Sequence, residues 1–308
     1  MMTTKTDWLK QRKELLTASD VASVLGESPF KGGIDVYLDK IDSTVNDEEY
    51  ALCLAYGHDV EEAIAKAYAH HTCREYVNPG DYYIHKHPDI PWLGATLDRV
   101  TWKPEDKEQA ESGALECKSE GGVRRKEGRI VSASEWQADP HTWQVIQNQI
   151  QMHCAGFNWG SLAAMFPGYD LRYVDIERDN EFLEIIYPIL DEFWGYVQRR
   201  EPPPLKFQET KKLEAMKKLW NRENGETIPL THEQMELIDL WELKKQAKKE
   251  IENETKDLEA QIYEMMKDAA FGALPDGTIL CKKVINKKEY ISHHKATSYP
   301  QLRRQRMK

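Results

Sequence analysis

Asp98, Glu116 and Lys118 are residues of types and spacing that can do phosphoryl chemistry in this chain of 308 residues. Glu116 and Lys118 lie in ALECK (114–118), and Asp98 closes the apolar run WLGATLD 18 positions earlier. A hard divalent cation prefers oxygen ligands and keeps several waters, so one or two carboxylates, a backbone carbonyl and phosphate oxygens suffice to hold it. Such an ion offsets phosphate charge and lowers the pKa of a bound water. A lysine nearby orients or deprotonates that water, or stabilises the developing charge. Against this stands a plain alternative, a cross-strand surface ion pair worth about 1 kcal/mol or less.

The triplet Glu-x-Lys occurs five times, starting at Glu105, Glu116, Glu209, Glu242 and Glu254, so only context separates them. Glu209, Glu242 and Glu254 fall in helical or linker stretches, and Glu105 in the turn KPEDKEQAESG. Glu116 alone follows an apolar lead-in after a Ser-Gly turn. In a strand, positions i and i+2 share a face, so Glu116 and Lys118 project together while Leu115 and Cys117 enter the opposite layer. WLGATLDRVTW reads as the hairpin partner that brings Asp98 alongside Glu116.

The neighbouring motifs resemble those of the lambda exonuclease and YqaJ-type viral recombinase family, within the PD-(D/E)xK nuclease superfamily. WLKQRKELLTASDVASVLGESPF has the family's opening Trp, an Arg four residues on, and Thr-Ala-Ser ahead of a helix. AYGHDVEEAIAKAY resembles its helix with a Gly followed four positions later by Glu, here Glu61. Asp98 and ECK follow, then IQNQIQMHCAG, similar to the Gln-containing helix beside the site, and YVDIERDNEFLEIIYPILDEF, similar to the closing strand and helix. The resemblance runs from about Trp8 to Val197.

It implies a restriction-endonuclease-like α/β core, a mixed sheet flanked by helices. It implies that Asp98, Glu116 and the Cys117 backbone carbonyl hold Mg²⁺ (or Mn²⁺), that Glu61 joins them, that Lys118 works on the attacking water, and that Gln149 supports that water or Glu61. Arg12 and Ser19 would hold the 5′-phosphate of the cut strand. A serine at a helix N-terminus and an arginine fork suit an anion, although a plain cap and a surface charge are the ordinary reading of each. The implied activity is digestion of one strand of linear duplex DNA from 5′ to 3′, leaving 3′ overhangs for a single-strand annealing protein. Relatives form ring trimers around DNA, so a homo-oligomer is expected. The family often has Asp-Gly where this chain has Asp98-Arg99. The segment GGVRRKEGRIVSAS gathers Arg124, Arg125, Lys126 and Arg129 and reads as a mobile loop touching DNA.

Composition bounds the rest. Net charge is −10 and is uneven: residues 1–204 carry 21 Lys and Arg against 35 Asp and Glu, and residues 205–308 carry 21 against 17. Residues 282–308 hold nine basic residues and one acid, a tail suited to phosphates or an acidic partner, or simply solvated. Pro202, Pro203 and Pro204 divide an exonuclease domain (1–204) from a helical and basic appendage (205–308). In the appendage, THEQMELIDL opens a long helix with a Thr cap, and Ile251, Leu258, Ile262 and Met265 follow coiled-coil spacing. LPDGTILCKKVI reads as a turn and a short β segment.

The five cysteines lack CxxC spacing, so no disulfide framework or zinc site is indicated, and three clustered C-terminal cysteines for an iron-sulfur cluster are missing. No apolar run reaches the roughly 20 residues of a membrane helix, and the opening MMTTKTDWLKQRKE lacks a secretory pattern. A cytoplasmic phage or prophage protein is expected. An endonuclease of the same core and a non-catalytic DNA-end-binding adaptor are the rival readings.

Overall fold

The computed structural model describes residues 4–42, 52–105, 111–120, 131–223 and 225–283, without the side chains of 52–58. In chain order the elements begin with α1 (Lys5–Lys13), β1 (Leu16–Thr17), α2 (Ala18–Val24), α3 (Gly33–Ile41) and α4 (Leu52–Thr72). Next come β2 (Glu75–Val77), β3 (His85–Lys86), β4 (Leu93–Ala95), β5 (Arg99–Trp102) and β6 (Gly113–Ser119). They are followed by α5 (Ala133–Ala138), α6 (Thr142–Ala155), β7 (Trp159–Phe166), β8 (Asp170–Glu177) and α7 (Asn180–Arg199). A short 3-10 turn (Leu205–Phe207), α8 (Lys212–Leu219), α9 (His232–Met266), β9 (Phe271–Ala273) and β10 (Ile279–Cys281) complete the order.

The main sheet has the order β2-β5-β6-β7-β8 and is mixed, because β6 and β7 run parallel while the other pairs are antiparallel. A parallel pair needs a crossover, and here that connection carries α5 and α6. Such a strand is covered on both faces, and β6 is buried from Gly113 to Cys117. Leu115 and Cys117 pack with Ile64, Ala65 and Tyr68 of α4. Ala114 joins the larger core that includes Ile146 and Ile150 of α6. Gly160 on β7 lets α6 approach closely: a Cβ there would lie 2.5 Å from Asn148 Oδ1. Asn148 in turn donates to the Ala114 carbonyl at 3.3 Å.

A smaller sheet, β1-β4-β3, sets α2 beside the core. Asp20 of α2 is buried and paired with Lys40 at 2.8 Å and Lys31 at 2.7 Å. Burial alone would raise its pKa, but Lys31, Lys40 and Arg12 outweigh that and hold it well below the usual carboxylate range. Its Oδ2 also accepts from the hydroxyl and backbone N–H of Thr17, closing the capping box of α2.

The fold is thus the expected α/β mixed sheet flanked by helices, followed by a long helix and a short β segment. The chain divides into two compact units, and the first continues past the proline run to Asn221. Phe207 is buried in the core, and Gln208 accepts from the Ile34 backbone N–H at 2.8 Å, which ties these residues to α3. The second unit begins at Arg222 and holds α9 and the antiparallel β9–β10 ribbon. Thr231 caps α9 with Gln234 in a capping box. Among the described residues no helix is long and apolar enough to cross a membrane.

Candidate active site

Strand pairing brings the two acids together. Arg99 pairs with Leu115 across β5 and β6, so the preceding residue, Asp98, falls opposite Glu116. Asp98 lies just before β5, where it can accept a free ladder donor: the Cys117 backbone N–H reaches its Oδ2 at 2.8 Å. A strand residue sends its N–H and C=O to the same side, so the Cys117 carbonyl faces Asp98 too. Glu116 and Lys118 project to the opposite face from Leu115 and Cys117, and their side chains are joined in an ion pair.

The face Glu116 enters belongs to α6. Its residues Gln144, Gln147, Asn148 and Gln151 recur at helical spacing and form one polar stripe against the sheet. Gln147 Nε2 donates to Glu116 Oε1 at 2.5 Å, and Gln151 Nε2 donates to the other oxygen. Gln151 also donates to the Thr96 carbonyl at 3.1 Å. Both glutamines therefore hold the carboxylate, and Gln149 does not. Two positions along a helix is a rotation of about 200°, which turns Gln149 away from β6. Its side chain donates to the Glu177 carbonyl at 2.7 Å and accepts from the Asp179 N–H at 2.9 Å, fastening α6 to the β8–α7 corner. The expectation that Gln149 serves the acidic cluster is corrected on that ground.

Glu61 of α4 lines the same cavity as Asp98, Glu116 and Lys118. Burial raises the Asp98 pKa well above the usual carboxylate range, and the Glu116 and Glu61 charges push it further. Burial would lower the Lys118 pKa, yet the carboxylates of Glu116 and Asp98 outweigh it and raise it, so Lys118 stands as a cation. Its ammonium also reaches Gln147 Oε1 at 3.3 Å and lies 5.4 Å from the centre of the Trp143 ring. The donor set fits a hard divalent cation: carboxylate oxygens, a backbone carbonyl, and like charges in mutual repulsion that a cation would relieve. Among the described residues, no three His, Cys, Asp or Glu side chains are already gathered in ligand geometry. Glu116 instead has both oxygens engaged by Lys118, Gln147 and Gln151.

The cavity, about 470 Å³, continues from these acids to a basic end lined by Arg12, Ser19 and Lys31. Arg12 lies 4.7 Å over the Trp8 ring and donates to the Ser19 hydroxyl at 3.2 Å and to Thr17 Oγ1 at 3.4 Å. Ser19 is the second residue of α2, whose cap is Thr17. Lys31, which belongs to none of the sequence motifs above, reaches Asp20 at 2.7 Å. Arg99 is turned to structure: it pairs with Glu62 of α4 at 2.8 Å and donates to the Asp98 carbonyl at 2.5 Å. Arg124 and Arg125 lie outside the described residues, as does the basic tail from residue 284 onward.

The glutamines that do hold Glu116 had a signal of their own. In WQVIQNQIQ, Gln147 and Gln151 are four apart and Gln144 lies three before Gln147, the spacing of one helix face, although Gln144 itself bonds Glu120 and Trp136.

Residues 7–158 match a family described as the YqaJ-like viral recombinase domain. The uncharacterized protein YqaJ of Bacillus subtilis strain 168 is 25% identical over 284 residues, spanning 91% of this chain and 84% of that protein. An alkaline exonuclease from Laribacter hongkongensis, LHK-Exo, is 18% identical and superposes over 64% of this chain and 94% of its own, with a TM-score of 0.47. Its complex with dAMP gives a TM-score of 0.48 at the same identity and coverage. A phage related exonuclease from Haemophilus somnus 129PT is 13% identical, covering 60% of this chain and 94% of its own, with a TM-score of 0.40.

Proposed function

Since residues 7–158 of this chain match the YqaJ-like viral recombinase domain, we propose that the protein is a divalent-metal-dependent DNA exonuclease. It removes nucleotides from one strand of linear duplex DNA in the 5′ to 3′ direction, leaving 3′ overhangs for a single-strand annealing protein. The observation that carries this reading is one cavity lined by three carboxylates and a lysine at one end and by Arg12, Ser19 and Lys31 at the other.

Asp98, Glu116 and the Cys117 carbonyl would hold Mg²⁺ or Mn²⁺, with Glu61 beside them. When bound, such an ion neutralises phosphate charge and lowers the pKa of a bound water. Lys118, paired with Glu116, orients or deprotonates the attacking water, or stabilises the developing negative charge. Gln147 and Gln151 fix the rotamer of Glu116 through both of its oxygens. Arg12 presents a planar fork to the 5′-phosphate, with the Ser19 hydroxyl alongside. Gripping an end in this way favours linear substrates over closed circles. By family resemblance the subunits enclose the duplex as a ring trimer in the cytoplasm of a phage-infected or lysogenic bacterium.

The test is incubation of linear and closed circular duplexes, with and without a 5′-phosphate, in Mg²⁺ or EDTA, using wild type and Lys118→Ala. Expected is Mg²⁺-dependent loss of linear, 5′-phosphorylated DNA that Lys118→Ala abolishes. Digestion of circles would replace the exonuclease with an endonuclease, and no digestion at all would leave a DNA-end-binding adaptor.

A further inference from the structure

Helix α9 runs for 35 residues without one buried residue. A helix of that length draws most of its stability from packing an apolar stripe. Leu237, Trp241, Ile251, Leu258, Ile262 and Met265 all lie on one seam of alternating four- and three-residue spacing, which Lys244, Lys248 and Thr255 complete. Four of these apolar residues, Leu237, Ile251, Leu258 and Met265, are more than half exposed, at 66%, 62%, 59% and 75%.

The occupant of that seam follows from where the charges fall. Lys244, Lys245, Lys248 and Lys249 form a basic block, followed at once by Glu250, Glu252 and Glu254. A parallel second copy would set Lys244 on Lys244 and Lys248 on Lys248 inside the seam, and Glu254 beside Glu259 at its flank. An antiparallel second copy, with its two-fold axis between residues 249 and 250, reverses this. Leu237 then meets Ile262 of the other copy, Trp241 meets Leu258, Lys244 meets Thr255 and Lys248 meets Ile251. Every layer joins complementary seam positions, and Lys245 flanks Glu252. The seam lysines no longer face their own copies, and the Leu237–Ile262 and Trp241–Leu258 layers put apolar contacts toward both ends, with Met265 beyond them meeting Gln234.

We propose that α9 is a self-association element that pairs with α9 of a second copy of this chain as a two-fold antiparallel coiled coil. The proposal stands apart from the nuclease chemistry, since it uses no residue of the cavity, and a two-fold contact would add to a ring trimer by joining two rings, so the mass is compared with that of the variant and not with that of a single chain.

Sedimentation equilibrium of the full chain tests it. Wild type is expected to reach at least twice the mass of a Leu237→Glu/Leu258→Glu variant whose far-ultraviolet circular dichroism matches wild type. Equal masses at every concentration overturn the proposal, whether the seam then serves another protein or none. Lys248→Leu, which sets a leucine opposite Ile251, should lower the dissociation constant by about tenfold or more. An unchanged constant counts against the pairing. Orientation is read by oxidative cross-linking in a Cys73→Ser/Cys281→Ser background, which removes two exposed thiols. Trp241→Cys mixed with Leu258→Cys should cross-link while neither does alone, and homotypic cross-links from each alone would overturn the antiparallel arrangement.

Discussion

The backbone N–H of Cys117 donates to Oδ2 of Asp98 at 2.8 Å, so the acid before β5 is held by the strand that carries Glu116 and Lys118. The β5–β6 register sets the two acids opposite one another, and this hydrogen bond fixes the Asp98 side chain there. Asp98→Asn keeps an acceptor for that N–H while deleting a charge that Glu116 and Glu61 repel. The expected outcome is loss of nuclease activity with an unfolding midpoint equal to or above that of wild type in EDTA. Retained activity would remove Asp98 from the chemistry.

The glutamines of α6 divide by face. Gln151→Ala frees one oxygen of Glu116, and loss of such a supporting contact is expected to lower metal affinity or activity by about 10–100-fold. Gln149→Ala instead loses the bonds to Glu177 and Asp179, at about 1–3 kcal/mol of stability, with activity of the folded fraction unchanged. Metal titrations alongside urea unfolding separate the two, and the reverse pattern would restore Gln149 to the site.

Arg12 and Ser19 form the basic end of the cavity. For Arg12→Ala, the preference for 5′-phosphorylated over unphosphorylated ends is expected to fall, read as the ratio of initial rates on the two substrates. A rate loss equal on both would assign Arg12 to general DNA affinity.

Asp20 and Lys40 are a buried pair beneath that end. Asp20→Ala leaves Lys40 without its carboxylate in the core and is expected to cost about 3–5 kcal/mol in urea unfolding. A loss under about 1 kcal/mol would mean that the ammonium finds other partners there.

His153 Nδ1 is hydrogen-bonded to His87 Nε2 at 2.8 Å and to the Tyr187 hydroxyl at 2.5 Å. Burial, then the charges of His87 and Arg178, lowers its pKa from 6.5 to about 4. Below the unfolded value the unfolded chain takes up a proton that the folded one refuses, so stability is present above pH 6.5 and is lost progressively toward pH 4. The unfolding midpoint should fall between pH 7 and 5 more steeply for wild type than for His153→Gln. Parallel slopes would contradict the assignment.

Much of the site is legible in the order of residues alone. Alternation in ALECKS, an apolar lead-in and a hairpin partner ending at Asp98 are enough to expect Glu116 and Lys118 on one face with Asp98 near, because strand geometry is local and repeats every two residues. The capped helix at Thr231 and the turn ahead of β10 are equally local signals. What α6 presents to Glu116 is not local. A sequence motif names a glutamine in a helix, but which of Gln147, Gln149 and Gln151 faces the acid depends on how α6 is rotated against β6, a rotation in which Asn148 packs against Gly160 and bonds the Ala114 carbonyl. Tertiary packing likewise turns Arg99 to Glu62, carries the compact unit beyond the prolines by burying Phe207, and joins the acids to Arg12 and Ser19 across one cavity. Chain order specifies residue types and their periodicity, whereas contacts between elements far apart in sequence are settled only when those elements compete for the same buried surface.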